Sequence, residues 1–184
     1  MDRFSSVTTV DASAMLLNEM QKQLAGKQWI SHVSLFEEYV PDKPFDAVIA
    51  TYVLEHVDDP DLIIRTAHDK WLKSGGLLTV VVPHALSLHR RLAVKMGLVP
   101  SPDHLGDTDR RMGHKRCFMY TDMEKMLLDA GFKVIEMQGL FTKLLPNSLL
   151  VNCSDDQLRG MFELGLELPI EYSATIYFLA QKNE

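Results

Sequence analysis

Cysteine is nearly missing from this 184-residue chain. Cys117 and Cys153 are its two thiols, too few for a disulfide framework or a zinc site built from cysteine, so a reducing, cytoplasmic setting is expected. No apolar run approaches the roughly 20 residues that a membrane helix needs, and the opening Met1-Asp2-Arg3-Phe4 lacks the pattern of a signal peptide. An excess of positive charge is also lacking. The 19 Lys+Arg stand against 25 Asp+Glu, for a formal charge of -6, and the chain as a whole offers no attraction to nucleic acid or an anionic membrane. Glycine is sparse, with 10 residues; Gly26 is the first, and no Gly-x-Gly occurs. There is no internal repeat, low-complexity tract or Gly/Ser linker.

What is present is enough apolar residue, 46% of the chain, for one substantial core. Short β-like blocks alternate with longer helical ones. The expected fold class is therefore α/β, with a mostly parallel sheet in a single domain spanning residues 1–184. Strands are expected at Phe4–Val10, Trp29–Phe36, Phe45–Tyr52, Leu77–Val82, Phe132–Met137 and Ala174–Ala180. Ser13 is placed to cap a helix running to about Leu24, with Gly26 as its stop. Asp59 and Pro60 begin another that runs to about Lys73 before Gly75-Gly76 ends it. A short helix is expected over Leu86–Met96. Two capping boxes, Thr121-Asp-Met-Glu124 and Ser154-Asp-Asp-Gln157, announce two more. Residues 84–116 read as a long lid or substrate segment, and 139–173 as an insert before the last strand.

Ligands of open α/β sheets sit beyond the carboxyl ends of the strands. Asp11 falls at such an end. Its carboxylate is suited to accept hydrogen bonds from both hydroxyls of a ribose, and equally suited to cap the following helix. At this point the sequence resembles the class I S-adenosylmethionine-dependent methyltransferases. The resemblance is carried by Val10-Asp11-Ala12-Ser13-Ala14-Met15, by Phe45-Asp46-Ala47-Val48-Ile49-Ala50-Thr51-Tyr52-Val53-Leu54-Glu55-His56-Val57, and by Leu72-Lys73-Ser74-Gly75-Gly76-Leu77-Leu78. Gly113-His114-Lys115-Arg116 and Ala130-Gly131-Phe132 look like the later part of such enzymes.

The resemblance implies a Rossmann-like fold with helices on both faces and a final antiparallel strand. It also implies S-adenosylmethionine as cofactor and a small-molecule acceptor, with oxygen preferred. Asp11, with Ala12 beside it, looks like the family's ribose acid, and Met15 like its neighbour near the nucleoside. Phe36 and Glu37 resemble the positions beside the adenine. Thr51 and Tyr52 match the end of the strand that faces the methionine portion and substrate, and Glu55-His56 matches a recurrent pair in the turn after it. General-base candidates are His84 and His89 beyond a strand, and His114 in the long connection; a structural histidine is the plainer reading of each. Arg90, Arg91, Arg110, Arg111, Lys115 and Arg116 suit an acceptor carrying phosphate or carboxylate, or a solvated face.

The departure from the family is the absence of a first strand leading into a Gly-rich loop before Asp11. That strand is the central one of the family's sheet, so the fold is expected to be incomplete at the N-terminus, as in a truncated form. Two strand edges would then be left to pair directly, to accept a strand from another chain, or to drive homo-oligomerisation. A non-catalytic methyltransferase-like binding module is the rival function. A nicotinamide dehydrogenase shares the architecture but needs its own glycine fingerprint, and Tyr39-x-x-x-Lys43 carries Pro41 where its motif requires helix. No metal site is expected, because His-Glu-x-x-His is absent and the seven histidines lack close ligand spacing.

Overall fold

A computed structural model of the chain describes residues 4–23, 29–145 and 147–183. They fall into two compact units, Met1–Lys43 and Pro44–Glu184.

The first unit is a strand–helix–strand crossover. β1 (Thr8–Asp11), α1 (Ala14–Gln23) and β2 (Ile30–Val33) follow one another, and the strands pair in parallel from Thr8 opposite Ile30 to Asp11 opposite Val33. The α1 start is set by side chains: Asp11 Oδ1 accepts from the Ser13 amide at 2.7 Å, and Ser13 Oγ accepts from the Leu16 amide at 3.3 Å. Ser13 therefore caps α1 as its sequence position suggests. Its expected stop, Gly26, lies outside the described residues. Both strands are shorter than their apolar runs. The ladder ends where the Glu38 amide turns back onto the Leu35 carbonyl.

In the second unit, four strands lie in the order β3-β4-β6-β5. β3 (Phe45–Thr51) runs parallel to β4 (Leu72–Pro83), with Thr51 opposite Val81. β6 (Thr175–Lys182) runs against both β4 and β5 (Phe132–Phe141), so β3, β4 and β5 share one direction. The fold is thus α/β with a final antiparallel strand. Its core is the paired centre of β4 and β6, where Val80, Val82, Ile176, Phe178 and Ala180 are fully buried.

α2 (Pro60–Thr66) begins where Asp59 Oδ1 accepts from the Leu62 amide at 3.0 Å, with Pro60 in its first turn. It does not reach Lys73. A widened turn over Ala67–Trp71 closes it and β4 starts at Leu72. Gly75 and Gly76 consequently lie inside β4 instead of ending a helix. The bend there puts Gly75 at φ +71°, and a Cβ on Gly76 would stand 2.9 Å from the Lys73 carbonyl oxygen.

The connection after β4 holds α3 (Leu88–Lys95) and α4 (Asp107–Arg111). α5 (Tyr120–Asp129) starts from Met119 with no side-chain cap, so Thr121 falls in its first turn and the box expected with Glu124 does not form. Its Met123 and Leu127 are fully buried. A short α6 (Asn147–Leu150) precedes α7 (Asp155–Glu167), where the second box does form: the Gln157 amide donates to Ser154 Oγ and the Ser154 amide donates to Gln157 Oε1. α7 presses its backbone onto β5 at Gly165, where a Cβ would stand 2.6 Å from the Phe141 nitrogen.

That approach yields a measurable cost. Gly165→Ala must push α7 off β5, and overpacking of this kind costs about 1–3 kcal/mol. Urea unfolding is expected to show a lowered midpoint for this variant, while Gly160→Ala, whose added Cβ meets nothing within 4 Å, leaves the midpoint level or raises it.

Candidate functional site

In the first unit, the carboxyl end of β1 presents Asp11. Its Oδ1 is held by the Ser13 amide, and Oδ2 accepts no hydrogen bond from the described residues. Ala12 and Met15 are exposed, Met15 at 72%. After β2, Phe36 and Glu37 occupy the turn closed by the Tyr39 amide on the Phe36 carbonyl at 3.3 Å. The expected nucleoside-side residues therefore sit at the carboxyl ends of β1 and β2, where an α/β sheet binds its ligands.

In the second unit, Thr51 ends β3 and Tyr52 follows at φ +53°, the one non-glycine residue in the left-handed region among those described. A tyrosine costs of order 1 kcal/mol or more there, and two bonds hold it: its amide donates to the Val81 carbonyl at 2.8 Å, and its hydroxyl lies 2.9 Å from Thr175 Oγ1. This reversal sends the chain into the turn Leu54–Asp58. Glu55 is fully buried there, and neither of its carboxylate oxygens has a hydrogen-bond partner. Burial pushes this carboxyl above the usual range, against opposing pulls from its own amide and from His56.

The segment Gly113–Arg116 is clamped onto that turn. The Lys115 amide donates to the Glu55 carbonyl at 2.8 Å, and Arg116 donates to the carbonyls of Leu54 at 3.3 Å, Val57 at 2.5 Å and Asp58 at 3.0 Å. Lys115 Nζ pairs with Asp58 at 2.5 Å. The clamp brings the His114 ring edge-on to His56, with centroids 4.9 Å apart. His56 Nδ1 lies 3.2 Å from the Gly113 carbonyl oxygen, while His114 Nδ1 is buried 3.6 Å from Asp109 Oδ1, beyond hydrogen-bond reach. Burial, and then His56, lowers the His114 pKa.

His84 is placed otherwise. It is fully buried, its Nδ1 is 3.0 Å from the Ser173 carbonyl oxygen, and it bridges to Phe118 just after β4. Sealed from solvent, it ties three chain segments together. Burial lowers its pKa. His89, on α3, is held to about 4 by burial and by the nearby Lys143 and Arg90, so it is neutral at physiological pH. The arginines expected to meet an anion are partly engaged within the chain. Arg90 donates to the Pro102 and His104 carbonyls and pairs with Asp109 at 3.2 Å, and Arg91 lies over the Tyr172 ring at 5.8 Å.

A family model described as a methyltransferase domain matches residues 2–137, which takes in Asp11, the strand ends and the Glu55–His114 cluster. The chain belongs to the methyltransferase-domain family. This methyltransferase-domain chain is similar in fold to a methyltransferase candidate from Bacillus halodurans C-125, at 20% identity and TM-score 0.65, over 98% of this chain and 84% of that one. An S-adenosylmethionine-dependent methyltransferase from Mesorhizobium loti gives 16% identity and TM-score 0.65, over 96% and 80%. The N-methyltransferase NodS from Bradyrhizobium japonicum WM9, in complex with S-adenosyl-L-homocysteine, gives 15% and TM-score 0.54, over 96% and 66%. No curated protein matches.

Within this methyltransferase-domain chain, the residue that sequence reasoning left out of the site is Glu55. It stands in the Glu-His pair, but its burial without a hydrogen-bond partner has no signature in the spacing.

His89 makes stability depend on pH. Its folded pKa of about 4 lies below the usual 6.5, so the unfolded chain takes up this proton first as pH falls. The contribution is complete above about pH 6.5 and is lost progressively down to about pH 4, on the order of 2–3 kcal/mol. Urea midpoints measured between pH 4.5 and 7 are expected to fall with acidification, and less steeply in His89→Leu.

Proposed function

We propose that the chain acts as an S-adenosylmethionine-dependent methyltransferase on a small-molecule acceptor, at an oxygen atom. The observation that carries the reading is Asp11 at the carboxyl end of a parallel strand, inside the segment that the methyltransferase model covers. With Oδ1 fixed by the Ser13 amide, the carboxylate is set before any ligand arrives, and Oδ2 remains for a ribose hydroxyl. The fit rests on this ribose end, since no glycine-rich turn stands among the described residues of the first unit.

When bound, S-adenosylmethionine supplies a methyl group on a sulfonium that its own charge already activates. The chain's part is then to hold and to orient. Asp11 holds the sugar, with Ala12 and Met15 beside it, and Phe36 and Glu37 flank the base. In the second unit, Thr51 and Tyr52 at the end of β3, with His56 and His114, serve the acceptor side. The half-buried His114 suits a hydroxyl acceptor better than the sealed His84 or the strongly depressed His89. The long segment 84–116 and the stretch 139–173 support a small acceptor over a macromolecule.

Two unpaired thiols, Cys117 and Cys153, support a reducing, cytoplasmic setting, and no helix among the described residues is long and apolar enough to cross a membrane. Among the described residues β3 has one ladder partner, β4, and the exposed Ile49 lies along it; this edge supports self-association.

Calorimetric titration of the whole chain with S-adenosylhomocysteine tests the assignment. Saturable binding is expected, and Asp11→Ala is expected to weaken it at least about tenfold, the loss of a hydrogen bond to a charged group. Absence of binding would favour the non-catalytic binding module instead.

A further inference from the structure

From the Glu55 carboxylate and the imidazoles of His56 and His114 we infer a binding site for one divalent transition-metal ion of the zinc class, held on the turn after β3. The potential ligand atoms of the three residues all lie within 4.8 Å of one another. Ions in such sites sit about 2.0–2.2 Å from each nitrogen or oxygen, so ligand atoms bound to a common ion stand up to about twice that distance apart. The observed spacing needs only small side-chain movements to close on one ion.

An independent observation comes from Glu55. A fully buried carboxylate with neither oxygen in a well-formed hydrogen bond, and only its own amide and His56 pulling on it, is costly, since burying a polar group without a compensating bond costs about 1–3 kcal/mol and an unpaired charge more. Arg116 and Lys115, the strong donors that the clamp brings to this turn, do not relieve it: the Arg116 guanidinium is committed to the carbonyls of Leu54, Val57 and Asp58, and Lys115 Nζ to Asp58. The clamp that brings His114 onto the turn holds the Glu55 backbone as well, through the Lys115 amide on the Glu55 carbonyl. A cation between the carboxylate and the two imidazoles removes the deficit.

The surroundings of the rings fit a metal site as well. His56 Nδ1 faces the Gly113 carbonyl at 3.2 Å, which places its proton on Nδ1 and leaves Nε2 with its lone pair. Asp109 Oδ1 stands 3.6 Å from His114 Nδ1, within a small shift of the same role. Carbonyls and carboxylates behind ligating histidines are the usual outer partners that fix the tautomer. Two imidazoles and one carboxylate select zinc or a similar borderline ion over magnesium or calcium, which favour all-oxygen cages. Three protein ligands leave a fourth position to water or to an oxygen of another molecule. With the ion bound, His114 is a ligand and not a proton acceptor. The expectation from spacing alone that the chain holds no metal site is thereby revised: Glu55 and His56 are adjacent, His114 lies far along the chain, and only the clamp joins them.

The test uses the tag-free full chain, stripped with chelator and titrated with zinc chloride against a chromophoric competitor, without methyl donor or acceptor. Saturable uptake of one ion per chain is expected, unaffected by excess magnesium. Cobalt(II) bound in place of zinc is expected to give the visible ligand-field absorption of a four- or five-coordinate site. Glu55→Gln, which keeps the buried shape, and His114→Gln are each expected to weaken zinc at least about tenfold, the smallest loss that even outer groups of metal sites produce. His32→Gln, in the other unit, is expected to leave it unchanged. Should Glu55→Gln fail to fold, as judged by circular dichroism, His56→Gln on the half-exposed ring gives the same reading. No saturable uptake, or uptake that these substitutions leave intact, overturns the site. Because metal uptake is read without cofactor, this outcome is separate from the S-adenosylhomocysteine titration.

Discussion

The antiparallel ladder between β4 and β6 fixes every other feature of the second unit. Val80 opposite Phe178 and Val82 opposite Ile176 are all fully buried, and burying side chains of this size contributes about 1.5–3 kcal/mol each. The ladder also fixes where things end. Val81 supplies the carbonyl that receives the Tyr52 amide, and Thr175 supplies the hydroxyl beside the Tyr52 phenolic hydroxyl. The left-handed backbone at Tyr52 is thus held by the centre of the sheet, and the turn that carries Glu55 and His56 starts from it.

On that base the chain builds a polar cluster at a strand's carboxyl end. Arg116 spends its donors on three carbonyls of the turn, a use of arginine that a cluster of positive charge in the sequence does not separate from binding an anion. Its rigid fork suits several fixed acceptors at once. The same segment carries His114 to the turn, where its imidazole and that of His56 stand close to the buried Glu55 carboxylate. A buried, unsatisfied carboxylate in a folded protein asks for a physical compensation, and a cation supplies one. The same clamp explains why His114 and His84, alike as candidates in the sequence, differ in place: one lies at the edge of the cluster, the other in the core on the Ser173 carbonyl.

Local patterns were readable where the responsible atoms are close in sequence. Ser13 over Leu16, Asp59 over Leu62 and Ser154 with Gln157 are all contacts across three residues, and each was legible. The box at Thr121–Glu124 failed because Met119 rather than Thr121 begins the helix, so the threonine never occupies the capping position. Gly75-Gly76 looked like a helix stop, yet the pairing of Leu72 with Phe45 draws the preceding residues into β4. Pairing between strands outweighs the local signal of glycine there.

By itself the sequence determined the α/β class, the order of the strands and of the longer helices, the family, and the placing of Asp11 at the end of a strand, because each of these depends on periodicity, short capping motifs or ordered local segments. Tertiary structure alone decided that His84 is core, that Arg116 is a clamp, and that Glu55, His56 and His114 share one place. Those outcomes depend on which distant segments meet and on what is left without water or a partner when they do, and neither is encoded at any fixed spacing along the chain.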